Sequence, residues 1–298
     1  MIVSDFISEK KDEPTILCLG GFDSIHKGHA ALIEEAKRFA VKNGGIVAVT
    51  VFSEEGKVFS RKKGEVFSIC ERVDILDSLG VNEAIVVRFT EEFSKLSPLE
   101  FLDEIFDNRL ISGVFCGTDF RFGRGGSGDV NLLEEYCKQK NALFSAMPFI
   151  TDENGEKIST SSVKSALARG AVRECFERYG VKYFIKGEVV HGRREGIKLG
   201  FPTANVIPAA EKFLLESGVY ASTVTVGGVK YRAITNLGAA PTFGVENRVM
   251  ECHIDGFDGD LYGKTISVYF DDRIRDVTKF SSADALKRQL EKDIEVIR

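Results

Sequence analysis

Leu17-Cys18-Leu19-Gly20-Gly21-Phe22-Asp23-Ser24-Ile25-His26-Lys27-Gly28-His29 begins as an apolar run, breaks at two glycines and carries two histidines three residues apart. Ala30 to Ala40 follows with apolar residues at helical spacing, so the chain passes from a strand through a tight turn into a helix. His26 and His29 fall where that helix opens, beside unpaired backbone N–H groups and the positive end of the helix dipole. Such a place attracts phosphate. Taken alone, the pair also reads as half of a metal site, or as plain polar residues at a helix end.

Outward from this stretch the same rhythm repeats. Gly44-Gly45 closes the helix, and Ile46 to Phe52 is almost continuously apolar, as in a strand buried on both faces of a parallel sheet. Ala84 to Val87 follows a helix ending at Leu79-Gly80. Gly113 to Cys116 follows a helix over Leu99 to Phe106, and Ala142 to Phe144 follows Leu132 to Lys140. Strand and helix in alternation predict a doubly wound α/β domain with its ligand at the carboxyl ends of the strands.

Two loops at those ends carry chemistry. Cys116 to Asp129, with Asp119-Phe120-Arg121-Phe122-Gly123 at its centre, joins flexible backbone to arginines and suits an anionic or flat ligand; a plain glycine-rich surface loop has the same composition. Lys157-Ile158-Ser159-Thr160-Ser161-Ser162-Val163-Lys164 supplies hydroxyls that cap the helix through Ala166 and Leu167.

A short helix, Val172 to Arg178, ends at Gly180, and the texture then changes to period-two alternation. Tyr220 to Val226, the Gly227-Gly228 turn and Val229 to Ile234 form a hairpin; Val249 to Ile254 and Thr265 to Phe270 make a second strand pair. The expectation is an antiparallel barrel followed by a helix capped at Ser281, with Asp284 completing a capping box and Ala285, Leu286, Leu290 and Ile294 on one face. The boundary falls at 180/181.

A chain of 298 residues with 43% hydrophobic content has room for two cores. Its net charge of −5 gives no electrostatic case for nucleic acid. Met1 to Pro14 is charged, not a basic start followed by an apolar core, so no signal peptide is expected. No apolar stretch is long enough to span a bilayer, so no membrane partner is expected. Cys18, Cys70, Cys116, Cys137, Cys175 and Cys252 form no C-x-x-C pairs; they read as reduced residues of a cytoplasmic protein, with no disulfide and no bound zinc or iron.

The string Gly20-x-Phe22-Asp23-x-Ile25-His26-x-Gly28-His29 resembles the signature of the nucleotidylyltransferases, most closely their flavin adenylyltransferase branch, with Ser24 where that branch usually has glycine. The resemblance implies that Gly20, Phe22, Asp23, His26 and His29 bind a nucleotide, the two histidines at its reacting α-phosphorus. It further implies that Ser159, Thr160, Ser161 and Lys164 grip ATP phosphates, Lys164 replacing an arginine, and that Asp119, Phe120, Arg121 and Phe122 belong to the flavin site. Ser53-Glu54-Glu55-Gly56-Lys57 stands where the branch has a Pro-His-Pro turn.

In the second half, Gly200-Phe201-Pro202-Thr203-Ala204-Asn205, Pro241-Thr242-Phe243 and Leu261-Tyr262-Gly263 resemble the riboflavin kinases. By that resemblance Glu251 is the base, Thr203 and Asn205 hold Mg2+ and ATP phosphates, and Gly187, Gly192 and Lys198 complete the nucleotide site. Asn236 and Arg275 face the flavin by the same resemblance. His253, two residues beyond Glu251, shares its strand face and reads as a positioning residue. Together the two halves imply an α/β plus β protein: a Rossmann-like nucleotidylyltransferase domain, then a small antiparallel β-barrel kinase domain with a C-terminal helix. The chemistry implied is riboflavin to FMN to FAD, with ATP and Mg2+ at both steps. Alternatives from the same residues are a riboflavin kinase with a weakened first domain and a flavin-binding regulatory protein. A class I aminoacyl-tRNA synthetase shares such histidines but does not fit an acidic chain lacking a tRNA-binding domain.

Overall fold

A computed structural model describes residues 1–6, 11–53, 64–192, 196, 200–239 and 248–298. Glu54 and Glu55, Lys198 and the Pro241-Thr242-Phe243 segment lie outside the described residues. The chain divides into two compact units, Met1–Thr160 and Ser161–Arg298.

The first unit is a six-stranded sheet in the order β1-β4-β3-β2-β5-β6. Its strands are β1 (Ile2–Asp5), β2 (Lys11–Leu19), β3 (Ile46–Ser53), β4 (Glu83–Arg88), β5 (Arg109–Gly117) and β6 (Leu143–Met147), and every pairing is parallel. Successive residues of β2 point to opposite faces. Ile16 and Cys18 join Leu32, Ile33 and Ala36 of α1 (Lys27–Asn43) and Leu76 of α2 (Ile69–Ser78) in one core. Leu17 and Leu19 join Phe101, Leu102 and Ile105 of α4 (Pro98–Asn108) and Leu133 and Cys137 of α5 (Val130–Gln139) in the other. A short α3 (Glu91–Lys95) precedes α4. From β2 the chain winds outward through β3 and β4, then crosses back to place β5 on the other side of β2. The strand order therefore reverses between β2 and β5, and the crevice at their carboxyl ends is where such sheets bind ligands. Gly45, at φ +106, lets the α1–β3 turn pass Pro14, whose carbonyl oxygen would sit 2.4 Å from any Cβ.

The sequence did not announce β1, a four-residue edge strand with mostly exposed side chains. Behind it lies a buried charge cluster. Glu83 takes Arg109 at 3.0 Å, Lys11 at 2.6 Å and the Ser4 hydroxyl. Burial pushes the Glu83 carboxyl up, but the hydrogen bonds from Lys11 and Ser4 and the Arg109 charge outweigh it and leave its pKa below the ordinary value.

In the second unit α6 (Thr160–Leu167), whose first residue belongs to the first unit, leads to α7 (Val172–Tyr179), which ends at Gly180 in the left-handed conformation. Six antiparallel strands then close into a barrel in the order β10-β11-β8-β7-β12-β9. They are β7 (Phe184–Val190), β8 (Ala204–Val206), β9 (Gly218–Val226), β10 (Val229–Ala239), β11 (Arg248–Ile254) and β12 (Thr265–Arg275). Val226 faces Val229 across the expected two-residue Gly227-Gly228 turn, both glycines having positive φ. The last helix, α8 (Ala283–Ile297), is capped by Ser282, whose side chain accepts from Ala285 N, and not by Ser281 as the sequence suggested. Two adjacent serines offer the same hydroxyl, and the one whose side chain reaches the N3 amide becomes the cap. Ile294 and Ile297 of α8 pack on Val219 and Ile234 of the barrel's outer face.

Candidate active sites

In the first unit the β2–α1 turn is tight enough that Phe22 (φ 41) and Ile25 (φ 43) adopt left-handed backbone. His26 is the N-cap of α1, its Nδ1 accepting from Gly28 N at 3.1 Å. In the neutral ring this leaves the proton on Nε2, so the other edge of His26 is a donor. The His29 ring stacks on it at 4.0 Å and rests against Phe22 at 4.6 Å. Burial, with the Lys157 charge helping, pulls the His26 pKa down to about 4. Burial holds His29 well below its ordinary value too, with the neighbouring His26 adding. At neutral pH the pair therefore offers hydrogen-bond donors at a helix N-terminus, not fixed positive charges.

These residues open onto a cavity of about 560 Å³ at the β2–β5 switch point. Gly20, Asp23, His26 and His29 line it from one side, Asp119, Phe120 and Arg121 from the second, Ser159 and Thr160 from the third. Ser24, the residue that departs from the family glycine, brings its hydroxyl to 3.1 Å from that of Thr160 and ties the histidine turn to the serine loop. Asp23 accepts from Val66 N at 2.6 Å. Phe22 is buried beneath His29, and Phe122 is buried in the core against Phe101, so neither lines the cavity. Ser161 and Lys164 fall in the second unit, where the Lys164 ammonium lies 5.9 Å from the Phe213 ring.

Sequence reasoning missed three groups in this wall. Arg72 and Glu65 form a buried ion pair at 2.6 Å, and Arg72 also donates to Phe52 O at 2.9 Å. Lys157 pairs with Asp119. Phe52, Phe89 and Phe149 add aromatic surface of the sort that receives a flat ring. The residues making the Arg72 pair are seven apart, Glu65 on the segment ahead of α2 and Arg72 on α2, a spacing with no motif; Lys157 was visible only as the start of a loop.

In the barrel, strand register gathers the second site. Glu251 on β11 faces Asn205 on β8 and Asn236 on β10. Directly opposed residues have Cβ atoms about 5 Å apart and share a face. Their neighbours Met250, Cys252, Thr235, Leu237 and Val206 fill the barrel interior, so the three polar side chains stand on its outer face. Glu251 is exposed, and among the described residues its carboxylate has no hydrogen bond or ion pair. The Asn236 Oδ1 is buried and without a partner among the described residues. Asn205 is buried beneath Gly192, where a Cβ would meet the Asn205 Nδ2 at 2.3 Å. Gly187 lies similarly close to Val206 and Ile207. Thr203 stands two residues ahead of Asn205, and His253 Nδ1 lies 2.9 Å from Pro202 O, the proline just before it. Arg275 is held by Asp293 of α8 through Nε at 3.1 Å and Nη2 at 2.6 Å.

A doubly wound sheet with a helix N-terminus and hydrogen-bond donors at its switch point, and in the second unit a barrel presenting a carboxylate and two amides on one face, are the parts of a two-domain enzyme handling nucleotides. Residues 8–162 match the family model of FAD synthetase, and residues 179–298 that of riboflavin kinase. The chain is 32% identical over 292 residues to the bifunctional riboflavin kinase/FMN adenylyltransferase of Bacillus subtilis (strain 168), covering 96% of this chain and 92% of the relative. It is 32% identical over 293 residues to that of Escherichia coli (strain K12), covering 96% and 93%. A crystal structure from Streptococcus pneumoniae, described as a macrolide-efflux protein, superposes with TM-score 0.88 at 31% identity, covering 100% of this chain and 99% of that one. The chain belongs to the family of bifunctional riboflavin kinases/FMN adenylyltransferases. Among the described residues no helix is long and apolar enough to cross a membrane.

Proposed function

We propose that this chain makes FAD from riboflavin in two ATP-dependent steps, phosphorylation on the barrel and adenylyl transfer in the α/β domain, and that it works in the cytoplasm. We assign the adenylyl step to residues 1–180 and the kinase step to residues 181–298. All six cysteines are free thiols, which suits a reducing compartment.

The observation that carries the kinase reading is the cross-strand alignment of Asn205, Glu251 and Asn236. A primary alcohol on the ribityl chain is a poor nucleophile at neutral pH, so a carboxylate must take its proton as the γ-phosphoryl transfers. Glu251 is exposed and, among the described residues, uncommitted enough to do so. Asn236 presents its carbonyl to the same face and, with Arg275, is assigned to the flavin; Gly187, Gly192 and Lys198 are assigned to the nucleotide. Among the described residues no group of three or more His, Cys, Asp or Glu gathers to hold a metal. A cation that arrives on ATP needs no such group, because phosphate and water supply most of its oxygens. The Thr203 hydroxyl and Asn205 amide, hard neutral oxygens, fit Mg2+ in that role, where it would neutralise charge on the transferring phosphate. His253 positions Thr203 through the Pro202 carbonyl.

Adenylyl transfer asks less. The phosphate of FMN is already an anion, so no general base is required at its attack on the α-phosphorus. The α1 amides and the His26 and His29 donors stabilise charge on the five-coordinate phosphorus. Ser159, Thr160, Ser161 and Lys164 are assigned to the triphosphate, and Asp119, Phe120, Arg121 and Phe122 to the flavin side, Phe122 from within the core. The deciding experiment incubates the pure chain with riboflavin, ATP and Mg2+ and resolves the flavins. FMN and FAD together are expected; FMN alone would leave only the kinase, and no turnover would make the protein a flavin binder.

A further inference from the structure

Two anionic nucleotides must enter the α/β cavity, yet its described lining is close to electrically neutral. Asp23, Glu65 and Asp119 balance Arg72, Arg121 and Lys157, and the histidines add no charge at neutral pH. Of the three cations, Arg72 is buried on Glu65, and Arg121 is 61% exposed and 3.7 Å from Asp129. Lys157 is placed differently. It sits at the end of a braced turn: Thr151 and Lys157 face each other in an antiparallel bridge, Ile158 N donates to Ile150 O at 2.9 Å, and Asp152 N donates to Glu156 O at 2.9 Å. The Asp152 carboxylate accepts from Asn154 N and Glu156 N within the same turn. The ammonium lies 5.3 Å from the Phe149 ring and pairs with Asp119 on the facing loop, and its charge reaches His26.

The Lys157–Asp119 pair is half open to water, 43% and 66% exposed. Exposed pairs of this sort contribute little and exchange readily. A phosphate group, with more charge and more acceptor oxygens than one carboxylate, is the stronger partner. We propose that Lys157 is a phosphate-binding residue of the adenylyl-transfer cavity, held at its mouth by Asp119 until a nucleotide phosphate takes its ammonium. The proposal rests on the adenylyl-transfer reading of this cavity. It gives the cavity the mobile positive charge that a neutral histidine pair does not supply.

The test measures FAD formation from supplied FMN by the full chain, varying ATP and FMN in turn, for wild type, Lys157→Met and Lys157→Arg. FMN formation from riboflavin on the same preparations controls for folding. Lys157→Met is expected to raise one nucleotide's KM about ten-fold or more, with Lys157→Arg within about three-fold of wild type. A raised KM for ATP assigns the contact to the triphosphate, and one for FMN to the flavin phosphate. Wild-type values for both KM in Lys157→Met, with kinase activity intact, would overturn the proposal, as would Lys157→Arg failing as fully as Lys157→Met. A wild-type chain that makes no FAD would instead remove the adenylyl-transfer reading itself.

Discussion

At the scale of single residues, the histidine pair shows how burial changes what a motif means. His26 and His29 stand where phosphate is expected, but their pKa values lie below the working range, so they act as neutral donors. The same burial ties stability to pH. The folded pKa of His26, about 4, lies below its ordinary value of 6.5, so the unfolded chain binds the proton first. That contribution is fully present above the ordinary value and is lost as pH falls toward the folded one, on the order of 3 kcal/mol for His26 alone. Urea unfolding between pH 7.5 and 4.5 is expected to show this loss, with a shallower slope in His26→Asn; equal slopes would contradict it. His29→Ala is expected to stop FAD formation from FMN while leaving FMN formation near wild type, as two separate flavin assays would read.

Elements explain why the residues meet. Gly192 lets its loop lie on Asn205, and a Cβ there would need the space of the amide. Gly192→Ala should therefore lower the kinase kcat/KM about ten-fold or more through the displaced amide, with little change in the adenylyl step. Arg275 and Asp293 join β12 to α8 by a pair that is nearly sealed on the Asp293 side. Asp293→Ala leaves that guanidinium uncompensated and should cost roughly 3 kcal/mol in denaturant unfolding of the barrel unit. Much at this scale was legible. The Ile46–Phe52 run, the Gly227-Gly228 turn and the strand–turn–helix around His26 each carry their own periodicity or breaker. β1 did not, because Ile2–Asp5 is too short and too exposed to show a pattern. The Glu83–Arg109 and Glu65–Arg72 pairs were hidden for another reason: buried charge pairs are made by tertiary contact, and no local spacing encodes them.

For the whole molecule, the two reactions differ in what they ask of a protein. In the proposed division the barrel deprotonates an alcohol, and cross-strand register sets an exposed carboxylate beside two amides. The α/β unit, in the same proposal, holds two anions together, a task for helix amides, neutral imidazoles and braced loop residues. The family resemblance pointed to Glu251 as the candidate base from the sequence; its alignment with Asn205 and Asn236 comes only with the closed barrel. Glu251→Gln in the full chain, assayed for FMN formation from riboflavin and separately for FAD formation from supplied FMN, tests the division most directly. The first rate should fall about a hundred-fold or more while the second stays near wild type. An undiminished first rate, or the loss of both together, would contradict it.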